Sequence, residues 1–129
     1  MQAIEFRFAF YARNFADSVS FYRDTLGMTR TGGWDRPDGK GALFSVKGTA
    51  AVIEIYGAAA GTTYQGPTPN AINLAVRLPN VAGVDNFYRQ LQTNGAKLAG
   101  PPETRAWGHY SFIVYDPDEI PIHYYCEPA

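Results

Sequence analysis

The chain has 129 residues, of which 46% are hydrophobic and 18% charged, and its formal net charge is −1. This composition excludes a disordered chain and suits a single domain, and the near-zero charge excludes the basic surface that binds nucleic acid. No apolar run approaches the roughly 18 residues that cross a bilayer and no leader pattern is present, so we expect a cytoplasmic protein without membrane or nucleic-acid partners.

The first predicted elements are a strand and a helix. In the strand, around residues 6–11, phenylalanines alternate with other side chains, and this period of two indicates a sheet with one face packed on a helix. The side chains predicted to face the helix are Phe6, Phe8 and Phe10. The helix follows over about 15–27, and Asn14 is placed to cap it. Its apolar stripe consists of Val19, Tyr22 and Leu26.

Shorter strands complete this first module. They are predicted over about 28–34, 42–47 and 50–56, with turn residues between them at Asp38-Gly39 and Lys47-Gly48. The stretch 58–70 is rich in Gly, Ala, Thr and Pro, which is typical of a linker. We therefore place module one at residues 1–57 and the linker at 58–70.

Module two, residues 71–129, repeats the order of module one. The motif Asn-x-Ala followed by Phe-Tyr-Arg occurs at 14–23 and again, with equal spacing, at 80–89. An alternating strand precedes each copy and a glycine follows each helix, so the repeat predicts two equivalent modules in one domain. The second-module elements are a strand over 72–78, a helix over 81–94 capped by Asn80, and strands over about 96–99, 109–115 and 120–126.

Four motifs occur in a characteristic order along the chain. They are Phe-Tyr-Arg in the helix, Leu26-Gly27-Met28 at its end, Trp107-Gly108 before a strand, and Asp116-Pro117-Asp118 near the C-terminus. Together they resemble the vicinal oxygen chelate superfamily, which includes glyoxalase I, extradiol dioxygenases, and fosfomycin and bleomycin resistance proteins. The resemblance implies an α+β fold in which two tandem βαβββ modules form a curled mixed-sheet cup, usually in a homodimer. The C-terminal motif, 116–124, is most similar to bleomycin resistance proteins.

The resemblance also implies four diagnostic positions, one on the first and one on the last strand of each module. Here they hold Arg7, Glu54, Asn73 and His123. A catalytic divalent metal usually takes about three ligands from His, Asp, Glu or Cys, and only Glu54 and His123 qualify. Arg7 would place a fixed cation where the metal should lie, so we expect no cofactor and keep a metal at Glu54 and His123 as the alternative. Arg7 either pairs with Glu54 or clamps a ligand.

Strand alternation predicts which other side chains line the cup. Those expected to face inward are Ala9, Tyr11, Val52, Tyr56, Ala75, Arg77, Pro121 and Tyr125. Trp34 and Trp107 lie near strand ends, where each either stacks on a ligand at the rim or is simply buried, burial being favoured for Trp107. His109 is interpreted as a surface or strand-end histidine, and Cys126 as a buried thiol. The predicted ligand-binding residues are Arg7, Tyr11, Trp34, Glu54, Tyr56, Asn73, Arg77, Trp107, His123 and Tyr125.

We interpret the chain as a small-molecule-binding protein of the antibiotic-resistance type, which holds an aromatic or planar ligand without metal. The bleomycin resistance proteins it resembles are markedly acidic to suit a cationic drug, whereas this chain is near neutral. The alternative is an enzyme, either a glyoxalase-type lyase or isomerase or a dioxygenase-like protein, that uses Glu54 and His123 with or without a divalent metal. In that case His123 is the candidate general base, and a nearby Glu54 would favour its protonated form. A third possibility is a protein-binding module.

Overall fold

A computed structural model describes residues 1–68 and 71–128. Contacts divide the chain into two compact units, Met1–Pro67 and Thr68–Ala129. Each unit carries one sheet and one helix of α type, so the fold class is α+β as predicted. The described part of the predicted linker, 58–68, contains no helix or strand. Positions 69 and 70 of the linker, and position 129, lie outside the described residues.

Unit 1 is a four-stranded mixed sheet with a short helix. Its elements are β1 (Phe6–Tyr11), α1 (Phe15–Ser20), a π-helical stretch (Phe21–Thr25), β2 (Thr29–Arg36), β3 (Gly39–Ser45) and β4 (Ala51–Gly57). The strand order is β1-β4-β3-β2, with β1 parallel to β4 and the other pairs antiparallel. The helix widens because the Leu26 amide donates to the Phe21 carbonyl, and it ends at Gly27, whose φ of 75° suits glycine.

The core of unit 1 lies between the helix and one face of the sheet. The predicted stripe of Val19, Tyr22 and Leu26 is buried, and Tyr22 packs against the rings of Phe10 and Phe44. The expected burial of Phe6 is wrong, because this side chain is 74% exposed. Phe6 is the first residue of β1, which is an edge strand of the sheet. Phe8, in contrast, contacts Phe10 and so joins the aromatic cluster beside the helix.

Unit 2 repeats the plan with shorter strands. Its elements are β5 (Leu74–Arg77), α2 (Val81–Thr93), β6 (Lys97–Leu98), β7 (Glu103–Thr104), β8 (Tyr110–Tyr115) and β9 (Pro121–Cys126). The order is β5-β9-β8-β6, with β7 also paired to β8. The predicted strand 72–78 is too long, since β5 has four residues. The two-residue strand β7, which follows Pro101-Pro102, was not predicted because two residues are too few to show an alternation of side chains.

The core of unit 2 contains the fully buried side chains of Val84 and Leu91 from α2 and of Phe112 from β8. The Cys126 thiol is buried and free, as predicted. The Asp-Pro-Asp motif is structural: the carboxylate of Asp116 accepts hydrogen bonds from the amides of Asp118 and Ile120, at 2.9 and 2.8 Å. Neither helix, over the described residues, has the length and apolar character that a membrane crossing requires.

Candidate functional site

In unit 1, strand register places the predicted site residues on one face of the sheet. Ala9 lies opposite Glu54 and Tyr11 opposite Tyr56, in the parallel pairing of β1 with β4. Because side chains alternate along a strand, Arg7 shares this face, while Phe10 and Ile55 point to the helix. The sequence-predicted alternation in this unit is therefore confirmed.

The carboxylate of Glu54 is held by two neighbours on that face. The guanidinium of Arg7 donates from Nη1 to Glu54 Oε1 at 3.1 Å, and its Nε donates to Glu5. The hydroxyl of Tyr56 is hydrogen-bonded to Glu54, which raises the pKa of Tyr56, with burial as the second cause. The Glu54 side chain is only 12% exposed. The ion pair with Glu54, one of the two predicted uses of Arg7, is therefore present.

Aromatic rings surround a small cavity beside this network. The ring centroids of Tyr11 and Tyr56 are 4.9 Å apart, and those of Trp34 and Tyr56 are 6.0 Å apart. Tyr64, in the linker, stands edge-on to Tyr11 at 4.9 Å. All four rings line a cavity of about 180 Å³. Sequence analysis missed Tyr64, because a residue outside any strand or helix has no period to give its direction.

In unit 2, the structure brings four predicted residues to one cavity of about 330 Å³. The described lining residues are Asn73, Leu74, Ala75, Trp107, His109, His123 and Tyr125. The parallel pairing of β5 with β9 sets Ala75 opposite His123. Arg77 was also predicted to face the ligand but does not line this cavity, and it pairs instead with Glu127 at 3.0 Å.

The outer wall of this cavity is aromatic. His109 stacks on Tyr125 with centroids 4.3 Å apart and planes inclined by 14°, and His109 Nε2 lies 3.5 Å from Glu127 Oε1. Trp107 was expected to be buried, but it is 67% exposed. The reason is the turn that carries it: Gly108, with φ at 99°, donates its amide to the Arg105 carbonyl and leaves the indole outside the sheet.

His123 is half-buried, and the groups described around it favour its neutral form rather than the protonated form that a nearby Glu54 would favour. Burial lowers the pKa of the imidazole, and the positive charge of Arg105 lowers this pKa further. Sequence analysis missed Arg105, although it lies two residues before the Trp-Gly motif. Its side chain is 20% exposed and is held by Ser111 Oγ at 2.8 Å and by Glu103 at 2.6 Å.

Within each unit taken by itself, the residues at the diagnostic positions do not fit a catalytic metal. Glu54 already accepts hydrogen bonds from Arg7 and Tyr56, and a guanidinium beside it would repel a cation. His123 lines a cavity with Asn73 but with no carboxylate among its described lining residues. Over residues 1–68 and 71–128, no group of three or more His, Cys, Asp or Glu side chains is arranged to hold a metal ion.

Comparison with known proteins gives one family match. Residues 6–124 match the family model described as the Glyoxalase/Bleomycin resistance protein/Dioxygenase superfamily. No curated protein matches the sequence significantly.

Several solved structures share the fold at low sequence identity. A glyoxalase/bleomycin resistance protein/dioxygenase from Nocardioides is 19% identical with a TM-score of 0.75, and the match covers 99% of this chain and 85% of that one. A domain of the same description from Frankia is 15% identical with a TM-score of 0.78, covering 98% and 93%. The trypanothione-dependent glyoxalase I of Leishmania major is 16% identical with a TM-score of 0.73, covering 98% and 88%.

Proposed function

The chain belongs to the glyoxalase/bleomycin resistance protein/dioxygenase superfamily, and on that basis we propose that it is a small-molecule-binding protein that holds a planar ligand without a metal. In this proposal it sequesters the ligand in the cytoplasm, as drug-sequestering resistance proteins of the superfamily do. The bleomycin-resistance type is proposed because of the C-terminal motif and because sequestration requires no reactive group. Bleomycin itself is a poor candidate, since the chain is near neutral and that drug is cationic.

The observation that carries the proposal is the aromatic wall of the unit 2 cavity. Trp107 offers an exposed indole beside the stacked pair of His109 and Tyr125. Asn73 and His123 add hydrogen-bonding groups that can orient a ring. The lining residues described for this cavity include no Lys, Arg, Asp or Glu, which favours a neutral planar ligand.

Tryptophan fluorescence tests this proposal, because the chain has two tryptophans, one in each unit. We expect a neutral planar compound from a ligand panel to quench the fluorescence of Trp107. Trp107→Ala should weaken its binding about tenfold, since an aromatic stacking contact and its buried area are lost. Trp34→Ala is the matched control and should leave the affinity for this neutral compound unchanged.

The metal-free part of the proposal has its own measurement. Protein purified without an affinity tag should contain far less than one equivalent of any transition metal by elemental analysis, and a chelator should not change ligand affinity. One equivalent of bound metal, or ligand binding that requires it, would contradict this part of the proposal.

A second candidate function is proton transfer by His123. The observation in its favour is the lowered pKa, which keeps the half-buried imidazole neutral and able to accept a proton near neutral pH. As an enzyme, the protein would convert the ligand rather than only hold it. Product analysis after long incubation separates the two functions: recovery of unchanged ligand supports sequestration, whereas turnover that His123→Gln abolishes supports catalysis.

A further inference from the structure

The aromatic cavity of unit 1 carries a cation at its edge. The guanidinium carbon of Arg36 lies 5.5 Å from the ring centroid of Trp34, and both residues line the cavity together with Tyr11, Tyr56 and Tyr64. A guanidinium held over an aromatic face keeps its planar edge of N–H donors available for an anion. The cavity therefore combines ring surfaces with a donor group for an oxyanion.

Arg36 is paired, but only weakly. Its Nε lies 3.2 Å from Asp38 Oδ1, and the side chains are 62% and 77% exposed. An exposed pair of this kind contributes little stability, because water screens the charges and both side chains lose freedom. A ligand oxyanion that also gains ring contacts can therefore replace the Asp38 carboxylate on Arg36.

The charges around the cavity favour an anion. Its lining contains two cations, Arg36 and Lys40, and one anion, Asp38. The ammonium of Lys40 lies 5.6 Å from the ring of Phe15 and forms no ion pair within the part of the chain that the structure describes. Two further carboxylates lie near the cavity without lining it. Asp35 lies opposite Lys40 in the pairing of β2 with β3 and borders the adjoining cavity of about 440 Å³, and Glu54, hydrogen-bonded to Tyr56, is paired with Arg7. Among the residues that line the aromatic cavity itself, the cations therefore exceed the anions by one.

From these observations we infer that unit 1 has its own site for a small aromatic anion, in which the ring packs among the tyrosines and Trp34 while the oxyanion takes the place of Asp38 on Arg36. The inference goes beyond the neutral-ligand pocket of unit 2 and does not depend on it. The cavity volume of about 180 Å³ limits the ligand to a small ring system. Asp38 then acts as an internal competitor for the ligand.

Fluorine NMR with para-fluorobenzoate, and with para-fluorobenzamide as its neutral counterpart, tests the inference on the full-length protein. Arg36→Met should weaken benzoate binding about tenfold, since a charge-assisted hydrogen bond is lost. Asp38→Asn should tighten it about two- to fivefold, because the competing carboxylate is removed. Benzamide binding should respond to neither change.

The pair Arg23–Asp24 supplies matched controls. It is an exposed Arg–Asp pair of the same unit, at 2.8 Å, away from the cavity lining. Arg23→Met and Asp24→Asn should leave benzoate binding unchanged. The inference is overturned if benzoate does not bind, if Arg36→Met binds it as the parent protein does, or if Asp38→Asn weakens it.

The same titration separates this inference from the proposed function. If Trp107→Ala abolishes benzoate binding while Arg36→Met does not, the anion binds in unit 2; the inference then fails and the proposed function stands. If Arg36→Met weakens benzoate binding as expected while no neutral planar ligand depends on Trp107, the inference stands and the proposed function fails.

Discussion

At the level of single residues, the central observation is how the carboxylate of Glu54 is satisfied. A nearly buried carboxylate is costly unless it is paired and hydrogen-bonded, and here Arg7 and Tyr56 provide both. Arg7 also bonds Glu5, and these two bonds, Glu5 first, raise the pKa of the guanidinium. Arg7 thus remains a fixed cation at a position where metal-dependent members of the superfamily are expected to hold a ligand, and this favours binding over metal catalysis.

His123 makes stability depend on pH. Its pKa in the folded protein lies below the ordinary 6.5, so between the two values the unfolded chain binds more protons than the folded one. The stability that comes from keeping His123 neutral should therefore be complete above about pH 6.5. As the pH is lowered from there toward the folded-state pKa of His123, the free energy of unfolding should fall. Urea unfolding between about pH 7.5 and 5.5 measures this fall.

Substitution of each histidine identifies the source of that fall, since the chain has only two. His123→Gln should flatten the dependence on pH, whereas His109→Gln should retain the part due to His123. An equal slope in the parent protein and in His123→Gln would show that other groups are responsible.

At the level of elements, the two helices begin in the same way. The side chain of Asn14 accepts a hydrogen bond from the Asp17 amide at 3.1 Å, and that of Asn80 accepts one from the Gly83 amide at 2.8 Å. Both caps were predicted from the repeat, because an N-cap depends on residues three apart in the chain. The helix ends are less alike, since the first helix becomes π-helical and the second ends at Thr93 with Asn94 as its C-cap.

Removal of one cap should destabilise the protein measurably. Asn80→Ala leaves an amide of the first turn of α2 without its partner and should lower the free energy of unfolding by about 1 kcal/mol. Asn86→Ala, on the exposed side of the same helix, is the control and should be neutral or slightly stabilising, because alanine is the better helix former. Equal losses in the two variants, measured by chemical denaturation, would contradict the capping role.

At the level of the whole molecule, each unit has its own sheet and its own buried cluster. Leu91 and Phe112 are fully buried in unit 2, as Tyr22 and Phe44 are in unit 1. Apolar side chains also remain outside these cores: Ile4 is 91% exposed and Phe6 is 74% exposed. Exposed apolar groups that lie close together commonly mark interaction surfaces. Ile4 and Phe6 are two residues apart in the chain, and we propose that this exposed N-terminal segment contributes to a homodimer.

Sedimentation velocity tests the dimer. We expect a species of twice the chain mass of 14.2 kDa at micromolar concentration. The double substitution Ile4→Ser and Phe6→Ser should shift it toward the monomer, because the interface would lose apolar area. Val81→Ser, a 41% exposed residue of α2, serves as the control and should leave the dimer intact. A monomeric parent protein would remove the proposal.

What could be predicted from the sequence is what depends on neighbours along the chain. The two modules, the helix caps and the inward face of each long strand follow from periods of two and 3.6 residues and from capping residues, and the structure contains them. The limits were reached where an element is too short to show a period, as in β7, or at an edge, as at Phe6.

The tertiary structure alone decided the partners of the site residues. Arg7 pairs with Glu54 although they are distant in sequence, and Tyr64 reaches Tyr11 from the linker. Burial lowers the pKa of His123, and Arg105, which lies in a turn, lowers it further. Side-chain charge and direction are local properties, but which groups meet depends on register and on turns that bring distant segments together. The sequence by itself therefore determined two α+β modules and the residues at their diagnostic positions. Only the structure showed that Arg7 and Glu54 form an ion pair in unit 1 and that Asn73 and His123 line an aromatic cavity in unit 2.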